Sequence, residues 1–448
     1  MDTNKSLFGT SGIRGSAETL FTKQFCFDIG RTFVEFLSRN KLLGPIAIGM
    51  DPRSSSPRIK EDVLRGLATS GEELFDEGVT PIPSMNWLLV SSPVRAGIMV
   101  TGSHIAPELN GLKFYAHDEE VSLSDMKQIE EIYATLKGKE KPGSKEPNVI
   151  LEDRAKQSYL EMLLGLVSGT YPKWKVALDC ADGAQSVVIP ELLEELGLTV
   201  VTVNCNPQDR FIARDTDTDD KAELEELKKA VVTEGCVLGI AFDGDGDRVV
   251  FVNENGEFVQ GEYTCGLIAK DSPGDTIVTP VSSSQVVEKL GKKVIRTEVG
   301  SPFVIGKMKE LNVKFGFEAN GGAVSAEIMY TRDGGSTMIK VLNAFARQKS
   351  SFSEMILTLP RFYMKRTKVD YKWEMKEEIL AKAKEKFGGV RVDETDGLKL
   401  WIDETTWMLF RSSKNAPEFR VFAESESQEK SEKLMAEGVA FVKEIIEK

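Results

Sequence analysis

The sequence predicts an α/β protein: three similar mixed α/β sheet domains followed by a smaller C-terminal α+β domain. Three observations carry that expectation. The chain has 448 residues, too many for one ordinary domain of roughly 100–200 residues. A pattern of apolar run, polar turn and helix-like segment recurs three times. Beyond Pro360 that pattern gives way to short alternating runs and an amphipathic tail.

The first copy of the pattern is PIAIGMDPRSSSPRIKEDVLRGLATSG (45–71), the second KVALDCADGAQSVVIPELLEELG (175–197), the third TIVTPVSSSQVVEKLG (276–291). Short apolar runs alternating with helical periodicity read as βα units on parallel-type sheets. The polar stretch GKEKPGSKEPN (138–148), the turn NENGE (253–257) and the region around Pro360 are the expected boundaries. They divide the chain at 1–148, 149–253, 254–360 and 361–448. In the last part RVFAES and WMLFRSS accompany one helical stretch, and 426–448 reads as an amphipathic helix.

Composition narrows the function classes. With 41% hydrophobic and 28% charged residues and no apolar run of about 18 residues, a membrane-spanning protein is not expected. The N-terminus MDTNKSLFGTSG has no basic stretch leading into an apolar one, so no secretory signal is expected. Five cysteines are scattered, odd in number and never spaced C-x-x-C, which suits reduced thiols in the cytoplasm. Fifty-seven basic against seventy acidic residues leave a formal charge of −13, disfavouring nucleic acid as a main partner. Only two histidines occur, His104 and His117. A His-rich metal site is excluded by arithmetic.

The stretch AFDGDGDRVVF (241–251) carries the clearest chemistry. Asp243, Asp245 and Asp247 alternate with glycines between two segments of buried-strand character. Like charges this close repel, so a cation is expected among them. The glycines let the backbone bend until the carboxylates converge, and an all-oxygen set suits a hard divalent ion, Mg²⁺ or Mn²⁺. A structural calcium loop is the alternative, but the twelve-residue EF-hand frame with its terminal Glu is missing. Arg248 beside the carboxylates suggests handling of phosphate.

A second stretch, MVTGSHIAPELNGLKFY (99–115), places Ser103 and His104 after an apolar strand, with Lys113 ahead. Neighbours in sequence do not make a catalytic dyad, and Ile105 breaks a G-x-S-x-G elbow. Taken alone, Ser103 reads as a turn residue.

Five ordered segments change that reading: FGTSGIRG (8–15), TGSHIAPELNGLK (101–113), DGDGDR (243–248), FEANGG (317–322) and RSSKNAPEFRVFAES (411–425). Together they resemble the α-D-phosphohexomutase family, which includes phosphoglucomutases, phosphomannomutases and phosphoglucosamine mutases. The resemblance spans nearly the whole chain. It implies four domains around a central cleft, small-molecule sugar phosphates as substrates, and a monomer or homodimer.

For the chemistry, the resemblance implies a phosphoryl group on Ser103 and a Mg²⁺ bridging it to Asp243, Asp245 and Asp247. A sugar hydroxyl takes the phosphoryl group, a sugar 1,6-bisphosphate reorients, and its other phosphate returns to Ser103. Lys113 corresponds to the family's proton-transfer lysine, with His104 a second candidate. Arg14 would face the phosphoserine and Arg248 the metal side. Glu318 and Asn320 would read the sugar hydroxyls. Arg411, Ser413, Asn415 and Arg420 resemble the clamp for the distal phosphate, a role suited to forked guanidinium groups.

Several positions depart from the family pattern. Ile105 and Ala106 replace Asn and Pro after the T-x-S-H core, and Lys414 adds a charge to the phosphate loop. The bacterial E-x-S-G-H sugar loop is here Glu318-Ala319-Asn320-Gly321-Gly322, a form similar to the archaeal branch. Core catalysis is expected intact and sugar selection open between mannose or glucose phosphates and glucosamine phosphate. A phosphosugar-binding protein without turnover and a metal-dependent phosphatase are the readings from other classes. The fourth-domain clamp argues against the phosphatase, which gains little from holding a second phosphate.

Overall fold

The structure is a computed structural model. It describes residues 6–447 apart from Thr10, 144–146, Asp209, Asp215, 217–223, 389–390 and 414–416. Among these the strands form four sheets.

The first sheet holds β1 (Ile13–Ser16), β2 (Ile46–Met50), β3 (Leu74–Val79), β4 (Ala96–Val100), β5 (Leu109–Ala116), β6 (Glu119–Glu120) and β7 (Ile150–Leu151). Its order is β1-β5-β4-β2-β3-β7, with β6 against β5. β4, β2, β3 and β7 pair parallel, while β5 runs against both β4 and β1. Helices α1 (Lys23–Arg39), α2 (Ser56–Leu67), α3 (Ile82–Ser91) and α4 (Leu123–Leu136) cover it. Thr22 caps α1 by accepting the Phe25 amide, and Ile29, Phe33, Phe36 and Leu37 then line one buried face, as 3.6-residue periodicity requires. α1 and α2 cross at Gly30 and Gly66, where a Cβ on Gly30 would lie 2.9 Å from the Gly66 Cα. Only glycine admits that approach.

The second sheet, ordered β12-β11-β10-β8-β9, comprises β8 (Lys175–Asp179), β9 (Thr199–Val203), β10 (Leu238–Phe242), β11 (Val249–Asn253) and β12 (Phe258–Val259). With it go α5 (Arg154–Gly165), α6 (Ile189–Glu195) and α7 (Glu225–Glu234). The third, ordered β14-β13-β15-β16, has β13 (Thr276–Pro280), β14 (Lys293–Thr297), β15 (Phe315–Phe317) and β16 (Ala323–Ser325). Its helices are α8 (Gly261–Asp271), α9 (Ser301–Glu310), α10 (Gly334–Ala346) and α11 (Phe352–Ile356). The fourth is wholly antiparallel, β17-β21-β20-β19-β18, from β17 (Tyr363–Asp370), β18 (Arg391–Asp393), β19 (Leu398–Trp401), β20 (Trp407–Ser412) and β21 (Glu418–Ser425). It carries α12 (Lys376–Phe387) and α13 (Gln428–Ile446). Three mixed α/β sheets and a smaller α+β unit are the expected architecture.

Three details differ from the sequence reading. β7 adds to the edge of β3, Phe75 opposite Ile150, so the first sheet runs past 148. NENGE is a hairpin inside the second sheet and not a boundary: the Asn253 amide donates to the Glu257 carbonyl at 2.9 Å, Gly256 has φ +77°, and β12 pairs back onto β11. The helix-like end of the third repeat is a 3₁₀ segment, Gln285–Lys289. There the buried Glu424 carboxylate takes the Gln285 amide at 3.0 Å and the Ser284 hydroxyl, pinning the first turn from the fourth domain.

The second and third domains share one apolar core. Phe251 of β11 packs on Phe352 of α11 with ring centroids 5.8 Å apart, and Phe352 meets Phe345 of α10 at 5.4 Å edge-to-face. A shared core fixes the loops of these two domains relative to one another. No helix among the described residues is long and apolar enough to cross a membrane.

Candidate active site

One topological position recurs in the first three sheets. In each, a strand paired parallel to the strand two before it in the chain is followed by a strand antiparallel to it: β4 then β5, β10 then β11, β15 then β16. The loops at these reversals are 101–108, 243–248 and 318–322. They hold Ser103, the three aspartates and Glu318 respectively. Ligands of open α/β sheets gather where strand direction or order switches.

Ser103 is buried and has φ +55°, an uncommon conformation for a residue with a Cβ. Its amide donates to Thr101 Oγ1 at 2.9 Å, and Thr101 Oγ1 donates to Asp51 Oδ2 at 2.8 Å. Arg53 fans over the same loop. Its Nη2 donates to the carbonyls of Ser103 and Ile105, each at 2.7 Å, and its Nη1 to those of Ala106 at 2.7 Å and Leu109 at 3.0 Å. Arg53 Nε is held by Asp51 Oδ2 at 3.0 Å, and the Phe211 ring lies 4.2 Å from the guanidinium carbon. Asp51 and Arg53 were missed as site residues. Their signal was the polar turn DPRSSS after the first repeat's strand, beside the Ser103 strand in the sheet.

Ser103 Oγ lies 3.3 Å from Asp243 Oδ2 and 3.3 Å from His104 Nδ1. The Cβ of a larger residue at Gly244 would stand 3.0 Å from the Ser103 carbonyl and 2.2 Å from the Phe211 ring. Glycine there lets the second domain's loop reach the first domain's serine. The Ile82 amide, at the start of α3, also ties the first domain to the aspartate loop by donating to the Asp245 carbonyl at 3.0 Å.

The three aspartates are buried, and one carboxylate oxygen from each lies within 4.8 Å of the others. Lys113 Nζ is 3.3 Å from Asp245 Oδ2 and 3.8 Å from Asp247 Oδ2. Arg248 Nε is 3.6 Å from both Asp243 Oδ2 and Asp247 Oδ1. Burial, reinforced by the neighbouring Asp245 and Asp247 charges, raises the Asp243 pKa well above the carboxylate range. At Asp245 burial pushes the same way, but Lys113, Arg248, Arg332 and Arg14 outweigh it and the pKa falls. Asp245 Oδ1 and Asp247 Oδ1 are buried without a hydrogen bond. Orphaned anionic oxygens at this convergence fit a divalent cation with all-oxygen coordination.

His104 is kept neutral: burial first, then the Arg248 and Arg14 charges, drive its pKa well below the usual histidine value. Arg14 stands on β1 opposite Gly111. Burial and then Arg248 lower its pKa against the opposing pull of Asp245.

Glu318 joins this group through a residue the sequence reading missed. Arg332 Nη1 donates to Glu318 Oε2 at 2.6 Å and Nη2 to Asp247 Oδ2. Burial disfavours the Arg332 charge, but Asp247 and then Glu318 more than offset it, so its pKa rises. Asn320 accepts the Gly322 amide at 3.1 Å, shaping the loop. Gly321 has φ +82°, and a Cβ there would lie 1.8 Å from the Val249 carbonyl. The 318–322 loop therefore presses directly on the strand that leaves the 243–248 loop.

The fourth-domain residues form their own group on β20 and β21. Arg411 lies opposite Arg420 in the strand register. Arg411 Nε donates to Asp396 Oδ2 at 2.7 Å, and that oxygen also accepts the Val299 amide of the third domain at 3.0 Å. Ser413 is buried and its amide donates to the Glu418 carbonyl at 2.8 Å. Arg420 Nη2 is 3.7 Å from Glu418 Oε2. Asn415 and Lys414 lie outside the described residues.

Comparison with known proteins bears on the whole chain. The family model described as phosphoglucomutase/phosphomannomutase, alpha/beta/alpha domain I, matches residues 5–140, the domain II model 157–256 and the domain III model 260–363. A phosphoglucomutase/phosphomannomutase of Thermococcus kodakarensis is 33% identical, covering 98% of this chain and 99% of that protein. A probable phosphoglucosamine mutase of Methanopyrus kandleri is 30% identical, covering 98% of each. The fold matches a phosphoglucomutase/phosphomannomutase family protein of Burkholderia thailandensis with TM-score 0.83 at 22% identity, over 98% of this chain and 97% of that one. It also matches an Aspergillus fumigatus N-acetylphosphoglucosamine mutase, solved with GlcNAc-6P and magnesium, with TM-score 0.60 at 15% identity, over 100% and 97%. The chain belongs to the phosphoglucomutase/phosphomannomutase family of α-D-phosphohexomutases, which are isomerases that transfer phosphate within a sugar.

Proposed function

We propose that this phosphohexomutase interconverts hexose 6-phosphate and hexose 1-phosphate, of mannose and glucose, with Ser103 as the phosphoryl carrier. The observation that carries the reading is the approach of Ser103 Oγ to Asp243 Oδ2 at 3.3 Å, across two domains, beside three buried carboxylates. Asp243, Asp245 and Asp247 would hold Mg²⁺, which when bound offsets their repulsion and draws charge from a phosphoryl group on Ser103.

In the first half-reaction a sugar hydroxyl oxygen bonds to the phosphorus as the phosphorus–Oγ bond of Ser103 breaks; in the second, Oγ bonds to the phosphorus at the other end of the sugar as that phosphorus–sugar oxygen bond breaks and the freed oxygen takes up a proton. The hydroxyl proton passes to a base, and Oγ is left to be rephosphorylated from the other end of the sugar 1,6-bisphosphate. His104, held neutral, can accept that proton, and Lys113, against Asp245 and Asp247, is the other candidate. Arg14 and Arg248 flank the transferring group, where fixed charge aids phosphoryl transfer. Glu318 and Asn320 read the hydroxyls. Arg411, Ser413, Asn415 and Arg420 take the phosphate that is not reacting.

Glucosamine phosphate handled by the same steps is the second reading, favoured by the likeness to a probable phosphoglucosamine mutase over nearly the full length. Assaying both directions with mannose, glucose and glucosamine phosphates decides between them. Turnover of none of the three, with Mg²⁺ and a 1,6-bisphosphate primer present, would refute the activity.

A further inference from the structure

Arg332 is the one side chain among the described contacts that touches both the metal loop and the sugar loop. Its backbone is fixed by the residue that follows. The Asp333 amide donates to the Ala323 carbonyl at 3.0 Å, and Asp333 Oδ1 caps α10 through the Ser336 amide at 3.0 Å while also accepting the Tyr159 hydroxyl. The stem lies over Gly322: a Cβ on that glycine would stand 2.7 Å from Arg332 Cδ and 3.2 Å from Cγ. The lack of a side chain at 322 is what admits the arginine. Its two terminal nitrogens then separate their duties, one to Glu318 Oε2 and one to Asp247 Oδ2. Glu318 Oε1 takes no hydrogen bond from the described residues, which leaves it for a sugar hydroxyl. A forked guanidinium fixes the direction of a carboxylate as an ammonium cannot.

We propose that Arg332 is a positioning residue for sugar selection, aiming Glu318 from an anchor on the metal loop. The inference rests on the mutase reading above, in that Glu318 is taken to face the sugar. Loosening Arg332 should change which hexose phosphate binds better, without Arg332 itself touching the sugar.

The test measures equilibrium binding, free of turnover, in a Ser103→Ala background. Glucose 1-phosphate and mannose 1-phosphate are titrated calorimetrically into that protein and into versions carrying Arg332→Lys, Gly322→Ala, Glu318→Gln, or Arg332→Lys with Glu318→Gln. Gly322→Ala displaces the stem while leaving every charge in place. The ratio of the two dissociation constants should move by about tenfold, the worth of one net hydrogen bond, in both Arg332→Lys and Gly322→Ala. Adding Arg332→Lys to Glu318→Gln should move it by no more than about twofold further, because residues acting as one unit are non-additive. A ratio unchanged in Gly322→Ala, or shifts that multiply in the double variant, would overturn the proposal. Should Arg332→Lys fail to fold, Arg332→Gln takes its place, because an alanine Cβ at 322 would also stand 3.1 Å from Asn320 Oδ1. Residual turnover in Ser103→Ala is a different failure, that of the mutase reading.

Discussion

Arg53 Nη2 donates to the carbonyl of Ser103 at 2.7 Å, so the loop carrying the proposed phosphoryl acceptor hangs from an arginine fifty residues earlier. Arg53 is almost wholly buried and neutralised by Asp51. Its five donors match an array of carbonyls that no lysine can span. Arg53→Lys should keep the charge opposite Asp51 while freeing most of the carbonyls. We expect turnover to fall by an order of magnitude or more, each net hydrogen bond being worth about 1 kcal/mol, with the fold retained by circular dichroism. Arg53→Met leaves Asp51 buried and unpaired and should cost about 3–5 kcal/mol in stability, read by denaturant unfolding.

Asp245→Asn removes one anionic oxygen from the proposed cation site and one partner from Lys113. Losing even an outer-shell partner of a metal costs roughly 10–100-fold in affinity, so the Mg²⁺ requirement should rise at least that far. A titration of activity against free Mg²⁺ checks it, and an unchanged half-saturation point would remove Asp245 from the site.

Arg411→Ala and Glu318→Gln should separate phosphate binding from sugar reading. Loss of a charge-assisted contact costs about 1.5–3 kcal/mol, or roughly ten- to over a hundredfold. Arg411→Ala should weaken glucose and mannose phosphates alike. Glu318→Gln should alter their ratio of kcat/KM. The reverse pattern would exchange the two assignments.

Lys399 offers a pH signature independent of the site. It is buried between the third and fourth domains, with Nζ donating to the Val281 carbonyl at 2.8 Å and standing 3.6 Å from the Trp407 ring centroid. Burial, then the Arg296 charge, push its pKa down to about 7. A ring contact of about 2 kcal/mol offsets roughly one and a half pKa units, less than that shift. A lowered lysine means the unfolded chain binds more protons above pH 7, so stability rises with pH until the unfolded lysine also loses its proton. Measured against Lys399→Met, the native protein should gain up to about 1.4 kcal/mol per pH unit between pH 7 and about 10. A flat difference over that window would show that Lys399 keeps its charge when folded.

The parts of this molecule that sequence alone discloses are those encoded locally. Alternating Asp and Gly at 243–247 announce converging oxygens, and the runs at 46–50 and 238–242 announce buried strands. Contacts set by strand order are silent in the sequence. Arg53 reaches Ser103 only because β2 lies beside β4, and Arg332 reaches Asp247 only because the second and third domains share a core. The NENGE turn shows the opposite error: its local chemistry is that of a hairpin, and nothing within five residues distinguishes a hairpin from a domain boundary. The likeness of the three loops was equally hidden, since periodicity marks a strand without its direction.

Every step of the proposed phosphoryl transfer depends on Ser103 as the carrier. The most direct measurement is the intact mass of the protein after incubation with glucose 1,6-bisphosphate and Mg²⁺ and removal of both. We predict a species heavier by one phosphoryl group, about 80 Da, mapped by peptide fragmentation to Ser103 and absent in Ser103→Ala, which has no mutase turnover. Phosphate on another residue, or full turnover by Ser103→Ala, would contradict it.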